Sequence, residues 1–127
     1  MSQSFLEAAA AARHDLGKYM IFQLRWVGRD GPLEDVREAL ESDLLRTRDG
    51  PGGTVNAAAI WVELRDGLAP FDPSAVASLD EGMALLADQL PGLTAGTLED
   101  AEIRTLAQLA WSLSEQFEAL YRRAKEE

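Results

Sequence analysis

The sequence contains no cysteine. Disulfide scaffolds, thiolate zinc centres and cysteine nucleophiles are thereby excluded. It has a single histidine, His14. The Glu-x-x-His pairs of di-iron bundles are therefore missing, and position 11, where such a pair would need its glutamate, is Ala11. Long apolar runs are missing too, and none approaches the ~20 residues of a membrane span. A secretory leader would open on basic residues and continue into an apolar stretch. Here the basic start is absent and Glu7 interrupts early. Basic residues are scarce overall: 12 Lys and Arg stand against 22 Asp and Glu, a formal net charge of −10. That balance speaks against nucleic acid and against an anionic membrane surface as partners. It fits a solubility charge spread over exposed helix faces. A cytoplasmic, soluble protein is expected.

What is present describes a helical protein. A chain of 127 residues with 46% apolar side chains is expected to form one domain, residues 1–127, around one core. No internal repeat or low-complexity tract is evident. Gly and Pro gather at Gly28 to Pro32, Asp49 to Gly53, Gly67 to Pro73 and Pro91 to Gly96. These clusters divide the chain into five segments. The first is read as a helix from about Ser4 to Val27, with Ser4 as N-cap and Glu7 closing a capping box. At about 100° per residue it turns Phe5, Leu6, Ala9, Leu16, Tyr19, Met20, Leu24 and Val27 to one face. His14, Lys18 and Arg25 turn to the other, Asp15 more loosely so, while Arg13 and Gln23 fall among the apolar positions.

The second helix is predicted from about Leu33 to Arg46, with Leu33, Val36, Leu40 and Leu44 inward. Acids crowd its start and Arg46 and Arg48 its end, as the helix dipole favours. The third, about Val55 to Asp66, has Val55, Ala58, Ala59, Val62 and Leu68 as its buried set. The fourth opens at Asp72-Pro73, carries Val76, Leu79, Met83, Leu86 and Leu90 as a seam, and is expected to stop at Pro91-Gly92. The last starts at Thr97, with Asp100 bonding back, and carries Leu106, Leu109, Leu113, Phe117, Leu120 and Ala124. No segment shows sustained apolar alternation. The pattern predicts an all-α fold, an antiparallel four- or five-helix bundle.

Most common catalytic layouts can be set aside. No glycine-rich loop leads into Lys-Ser or Lys-Thr, and the glycines of Asp49 to Gly53 lack that lysine. No Ser-His-Asp order stands out. Acidic pairs such as Glu99-Asp100 read as helix N-terminal charge. Neither a cofactor nor a metal site is predicted. What remains is His14. A neutral imidazole is a nucleophile near neutral pH and can accept a phosphoryl group on a ring nitrogen. Such a site needs an exposed ring, room for a partner, and a cation near the phosphoryl oxygens. Lys18, four residues on, lies one turn away on the same side. Gly17, three residues on, leaves bare surface beside the ring for a partner's approach; on a plainer reading it only permits close helix packing. Asp15 is adjacent as a proton acceptor.

The segment Arg13-His14-Asp15-Leu16-Gly17-Lys18 resembles two related families. Histidine phosphotransfer domains are helical bundles whose phosphorylated histidine is followed closely by lysine and glycine on the exposed face. The His-Asp-Leu opening is similar to the H-box of sensor-kinase dimerisation helices. Here Gly17 precedes Lys18, the reverse of the phosphotransfer order, and Tyr19-Met20 follow where the H-box has a proline. The resemblance implies a signal-transduction module with His14 as phosphoacceptor, Lys18 as electrostatic partner, Gly17 as access residue and Asp15 as the H-box acid. Its partner would be a protein, a receiver domain or a kinase. No nucleotide-binding segment is present, so the chain is not expected to be a kinase itself, and whether it is an enzyme at all stays open.

A second reading competes with the first. A lone helix histidine with lysine four residues on also fits plain surface. Trp26, Trp61 and Trp111 are expected to fill core or interface positions. Phe22 falls on the polar side of the first helix near Trp26. With Ile21, the pair would form the surface of a non-catalytic helical domain that binds a protein partner or forms a homodimer.

Overall fold

The computed structural model describes residues 4–45 and 56–126. These form six α-helices, and no strand occurs among them. In chain order they are α1 (Phe5–Ala12), α2 (Leu24–Val27), α3 (Leu33–Leu44), α4 (Ala57–Leu68), α5 (Pro73–Ala95) and α6 (Asp100–Glu126). The all-α bundle expected from periodicity is what forms. Arg46, Arg48, Val55 and the Asp49 to Gly53 turn lie outside the described residues.

The predicted first helix is helical along almost its whole length but not α-helical throughout. Between α1 and α2 the backbone passes through a π turn, Arg13–Lys18, and a 3₁₀ turn, Tyr19–Ile21. The cause is legible in the burial. Ala8, Ala12, Leu16, Met20 and Leu24 recur every fourth residue and all are buried. At 3.6 residues per turn, such a row rotates off its neighbour by about 40° at each step. The wider i→i+5 turn offsets part of that drift and keeps the row against the core. Re-entry into α-helix at α2 leaves backbone donors that no turn satisfies. The buried carboxylate of Asp43 on α3 takes them: it accepts from Gln23 N at 2.9 and 3.0 Å and from Leu24 N at 3.0 Å. Asp43 thus caps α2 from another helix.

Other boundaries follow from side-chain chemistry. Ser4 Oγ accepts from Glu7 N at 3.1 Å, while the Ser4 hydroxyl donates to the Glu7 carboxylate at 3.0 Å. Asp72 accepts from Ala75 N at 3.1 Å ahead of Pro73. The stop expected at Pro91 does not occur. α5 runs on to Ala95 because Leu93 is buried, and Gly96, at φ 72°, ends the helix where only glycine adopts that backbone cheaply. α6 starts at Asp100 rather than Thr97, and Glu102 rather than Asp100 reaches back, to Glu99 N at 2.9 Å. The register of α4 also differs from expectation. Ala57, Ile60, Trp61 and Leu68 are its buried residues, whereas Ala59 and Val62 are exposed. Three consecutive alanines leave the inward face undecided by hydropathy, and Asn56, which accepts from Ala59 N at 3.2 Å, sets it.

α6 is the axis of the bundle. It packs on α1, the π turn, α3 and α5, and α4 bridges α1 to α5. The short links 69–72 and 96–99 make α4–α5 and α5–α6 antiparallel hairpins. Along α6, Ile103, Ala110, Phe117 and Ala124 are buried at intervals of seven, as are Leu106, Leu113 and Leu120. Burying each larger side chain contributes roughly 1.5–3 kcal/mol. Polar ties fasten both ends of this helix. Arg104 donates to Gly31 O at 2.6 Å, and Arg123 reaches Asp72 at 2.8 Å. Between α4 and α5, Asp80 accepts from Trp61 Nε1 at 2.7 Å and from Arg65 at 3.2 Å. The Trp61 hydrogen bond, then Arg65, hold the Asp80 carboxyl below its usual pKa against the opposing effect of burial. Among the described residues no helix is long and apolar enough to cross a membrane.

Candidate functional site: an exposed histidine on a π turn

His14 sits in the first half of the π turn with its side chain 61% exposed. Its Nδ1 lies 3.0 Å from Asp15 Oδ1. A carboxylate oxygen only accepts, so this contact places the imidazole proton on Nδ1. In the neutral ring the lone pair is then on Nε2, away from Asp15. Tyr19 meets the ring edge to face, with centroids 5.3 Å apart. The Lys18 ammonium lies 5.6 Å from the centre of the same Tyr19 ring. Tyr19 therefore neighbours both the histidine ring and the lysine ammonium. Periodicity at one uniform pitch places Tyr19 on the apolar face, and the wider i→i+5 bonding of the π turn before it changes that register.

Gly17, expected as the access residue, lines a groove between the turn and α6. It is buried against α6, where an added Cβ would lie 3.1 Å from Phe117 Cβ and 3.7 Å from Ser114 O. The reading of Gly17 as a close-packing residue is the one the geometry matches. The Ser114 hydroxyl, itself buried, donates to the Gly17 carbonyl. On the other flank, Arg13 pairs with Glu118 at 2.5 Å and its guanidinium lies 4.6 Å from the Tyr121 ring centre. Glu118 is shared with Arg122 at 3.5 Å. Three residues of α6, Ser114, Glu118 and Tyr121, thus hold the π turn from one side. None of them carried a sequence signal, because their role depends on a contact across the fold.

Beyond the π turn the exposed side of the chain is aromatic and basic. Phe22 is 39% exposed and Trp26 83%. Tyr19 and Phe22 are in contact, with centroids 5.7 Å apart. Ile21 does not belong to this surface: it is buried in the core, on the side that faces α6. His14, Lys18, Phe22 and Trp26 form an outward row with the same four-residue step as the buried row. The charge along this stretch departs from the rest of the molecule. Residues 13–29 hold four basic side chains and one acid, against eight and twenty-one elsewhere in the chain. Where this stretch meets α6, Arg13, Gly17, Lys18, Ile21 and Arg25, with Ser114, Glu115 and Glu118 of α6, line a groove of about 340 Å³.

Among the described residues no group of three His, Asp or Glu side chains is placed to hold a metal ion. No protein-family model, curated protein or solved structure matches the chain.

Proposed function

We propose that the protein is a phosphotransfer-like signalling module that carries a phosphoryl group on His14. The observation that carries this reading is the His14–Asp15 contact on an exposed ring. It directs the proton to Nδ1 and leaves the lone pair on Nε2, in a side chain that is 61% exposed. In the forward step Nε2 attacks the phosphorus of a donor. The N–P bond forms, and the bond from phosphorus to the donor breaks, its electron pair leaving with the donor. Asp15 stabilises the positive charge that develops on the ring by holding the Nδ1 proton. In the second step a carboxylate oxygen of the partner attacks the same phosphorus, and the N–P pair returns to Nε2. The Lys18 ammonium lies on this side of the helix and offsets charge on the phosphoryl oxygens. The basic, aromatic row running to Trp26 supports a protein as donor and acceptor.

Small phosphodonors such as phosphoramidate test this reading. Incubation is expected to give one adduct that is labile to acid and stable to base, absent from His14→Ala. A protein that takes up no phosphoryl group from phosphoramidate or from a phosphorylated receiver domain does not act this way.

The exposure of Trp26 favours a second reading, a non-catalytic domain that binds a protein through this same row. Under it, Trp26→Ser abolishes partner binding while His14→Ala leaves it intact.

A further inference from the structure

The π turn presents His14, and its anchor lies on a different helix. We infer that Ser114 is a positioning residue for His14, acting through the Gly17 carbonyl to hold the turn in its wide register. The inference deepens the phosphotransfer reading and rests on it for its biological meaning, though not for its geometry.

Three observations carry it. First, the row of buried residues at intervals of four demands local underwinding, but it does not say where along the helix the extra residue goes. A hydrogen bond and a steric contact at Gly17 both fall inside the π turn. Secondly, leaving α-helical register deprives a carbonyl of its usual i+4 donor, and a buried carbonyl without a donor is costly. The Ser114 hydroxyl supplies a donor to Gly17 O from outside the helix. Thirdly, Gly17 rests on Phe117 Cβ so closely that the turn cannot slide along α6 without opening a gap or a clash. The residues that give His14 its surroundings, Asp15, Lys18 and Tyr19, all lie in this turn or directly after it. A return to α-helical register would rotate the His14 side chain relative to Tyr19 and break the edge-to-face contact.

The charged groups of the turn are Arg13, Asp15 and Lys18; on α6, Glu118 pairs with Arg13 and with Arg122. None of them touches Ser114 in the way that Gly17 O does, so replacing its hydroxyl leaves their charges unchanged.

The test uses the full chain and reads the His14 ring nitrogens directly by nuclear magnetic resonance. In the native protein the neutral ring is expected to be predominantly the Nδ1–H form. Ser114→Ala is expected to shift it towards the Nε2–H form, which dominates in free histidine, and to slow adduct formation with phosphoramidate by about tenfold. Alanine favours helix more than serine does, so α6 stays folded, and circular dichroism with thermal unfolding verifies that. Ser114→Thr, which keeps the hydroxyl, is expected to restore the native tautomer. Ser112→Ala, on the exposed side of the same helix, is expected to change neither readout. An unchanged tautomer in a folded Ser114→Ala protein overturns the inference. A tautomer shift in Ser114→Ala with no phosphoryl uptake by the native protein supports the positioning role and rejects the phosphoacceptor reading.

Discussion

The first helical stretch and α6 bury comparable faces against each other and solve the fit in opposite ways. In α6 the buried residues recur every seven positions, 3.5 per turn. An α-helix misses that repeat by only about 20° per heptad, which slight supercoiling absorbs. From Phe5 to Val27 the buried row recurs every four positions. That mismatch is larger and of opposite sign, and no smooth bend removes it. The chain instead concentrates the correction in one π turn and one 3₁₀ turn, then relies on groups from elsewhere. Asp43 supplies acceptors where donors are left over, and Ser114 supplies a donor to Gly17 O. α6 satisfies its interior backbone unaided. The difference teaches that the irregular helix is the dependent one, and that the exposed histidine sits on it.

Substitutions that remove this outside support are the sharpest way to break the comparison. Asp43→Ala leaves the buried Leu24 amide and the part-buried Gln23 amide without that acceptor. A loss of about 2–3 kcal/mol is expected in denaturant unfolding, and Asp43→Asn, which keeps one acceptor, is expected to lose roughly half as much. Gly17→Ala tests the close approach. On an exposed helix this change stabilises by up to about 1 kcal/mol. Here the new methyl meets Phe117 Cβ at 3.1 Å. The expected outcome is a net loss of about 1 kcal/mol, since overpacking outweighs propensity. The smallest effect is expected at Trp26. Its side chain is 83% exposed, so Trp26→Ser should change stability by no more than about 0.5 kcal/mol. A larger loss would mean that the outward row is held by the fold rather than offered to a partner.

Much of the fold was readable because short-range chemistry decided it. Ser4 and Asp72 are caps whose partners lie three residues away, and the Leu79, Met83, Leu86, Leu90 seam follows the ordinary α-helical period. The exposure of His14, Lys18, Phe22 and Trp26 follows from the same kind of pattern. Projecting the first helix at a uniform 100° per residue, however, sent Arg13 and Gln23 inward, Tyr19 to the apolar face and Ile21 outward with Phe22. The error lies in the assumption of one pitch, because burial every fourth residue cannot be drawn on a wheel of 3.6. Position 91 misled for a related reason. Proline forbids one hydrogen bond, and burial of Leu93 beyond it outweighed that loss. The parts of the candidate site that sequence could not show are those contributed across the fold: Ser114 on Gly17, Glu118 and Tyr121 on Arg13, Asp43 on α2.

The two arginine ties at the ends of α6 carry a consequence for how the molecule comes apart. Arg104 clasps the 28–32 link and Arg123 clasps the cap of α5, nearly 20 residues further along one rigid rod. At about 1.5 Å per residue that rod bridges opposite poles of the structure. Each clasp ties α6 to a connection outside it, the 28–32 link at one pole and the start of α5 at the other, so fraying of either end of α6 loosens a second element with it. The stretch that steadies the imidazole, Ser114 to Tyr121, lies between the two ties.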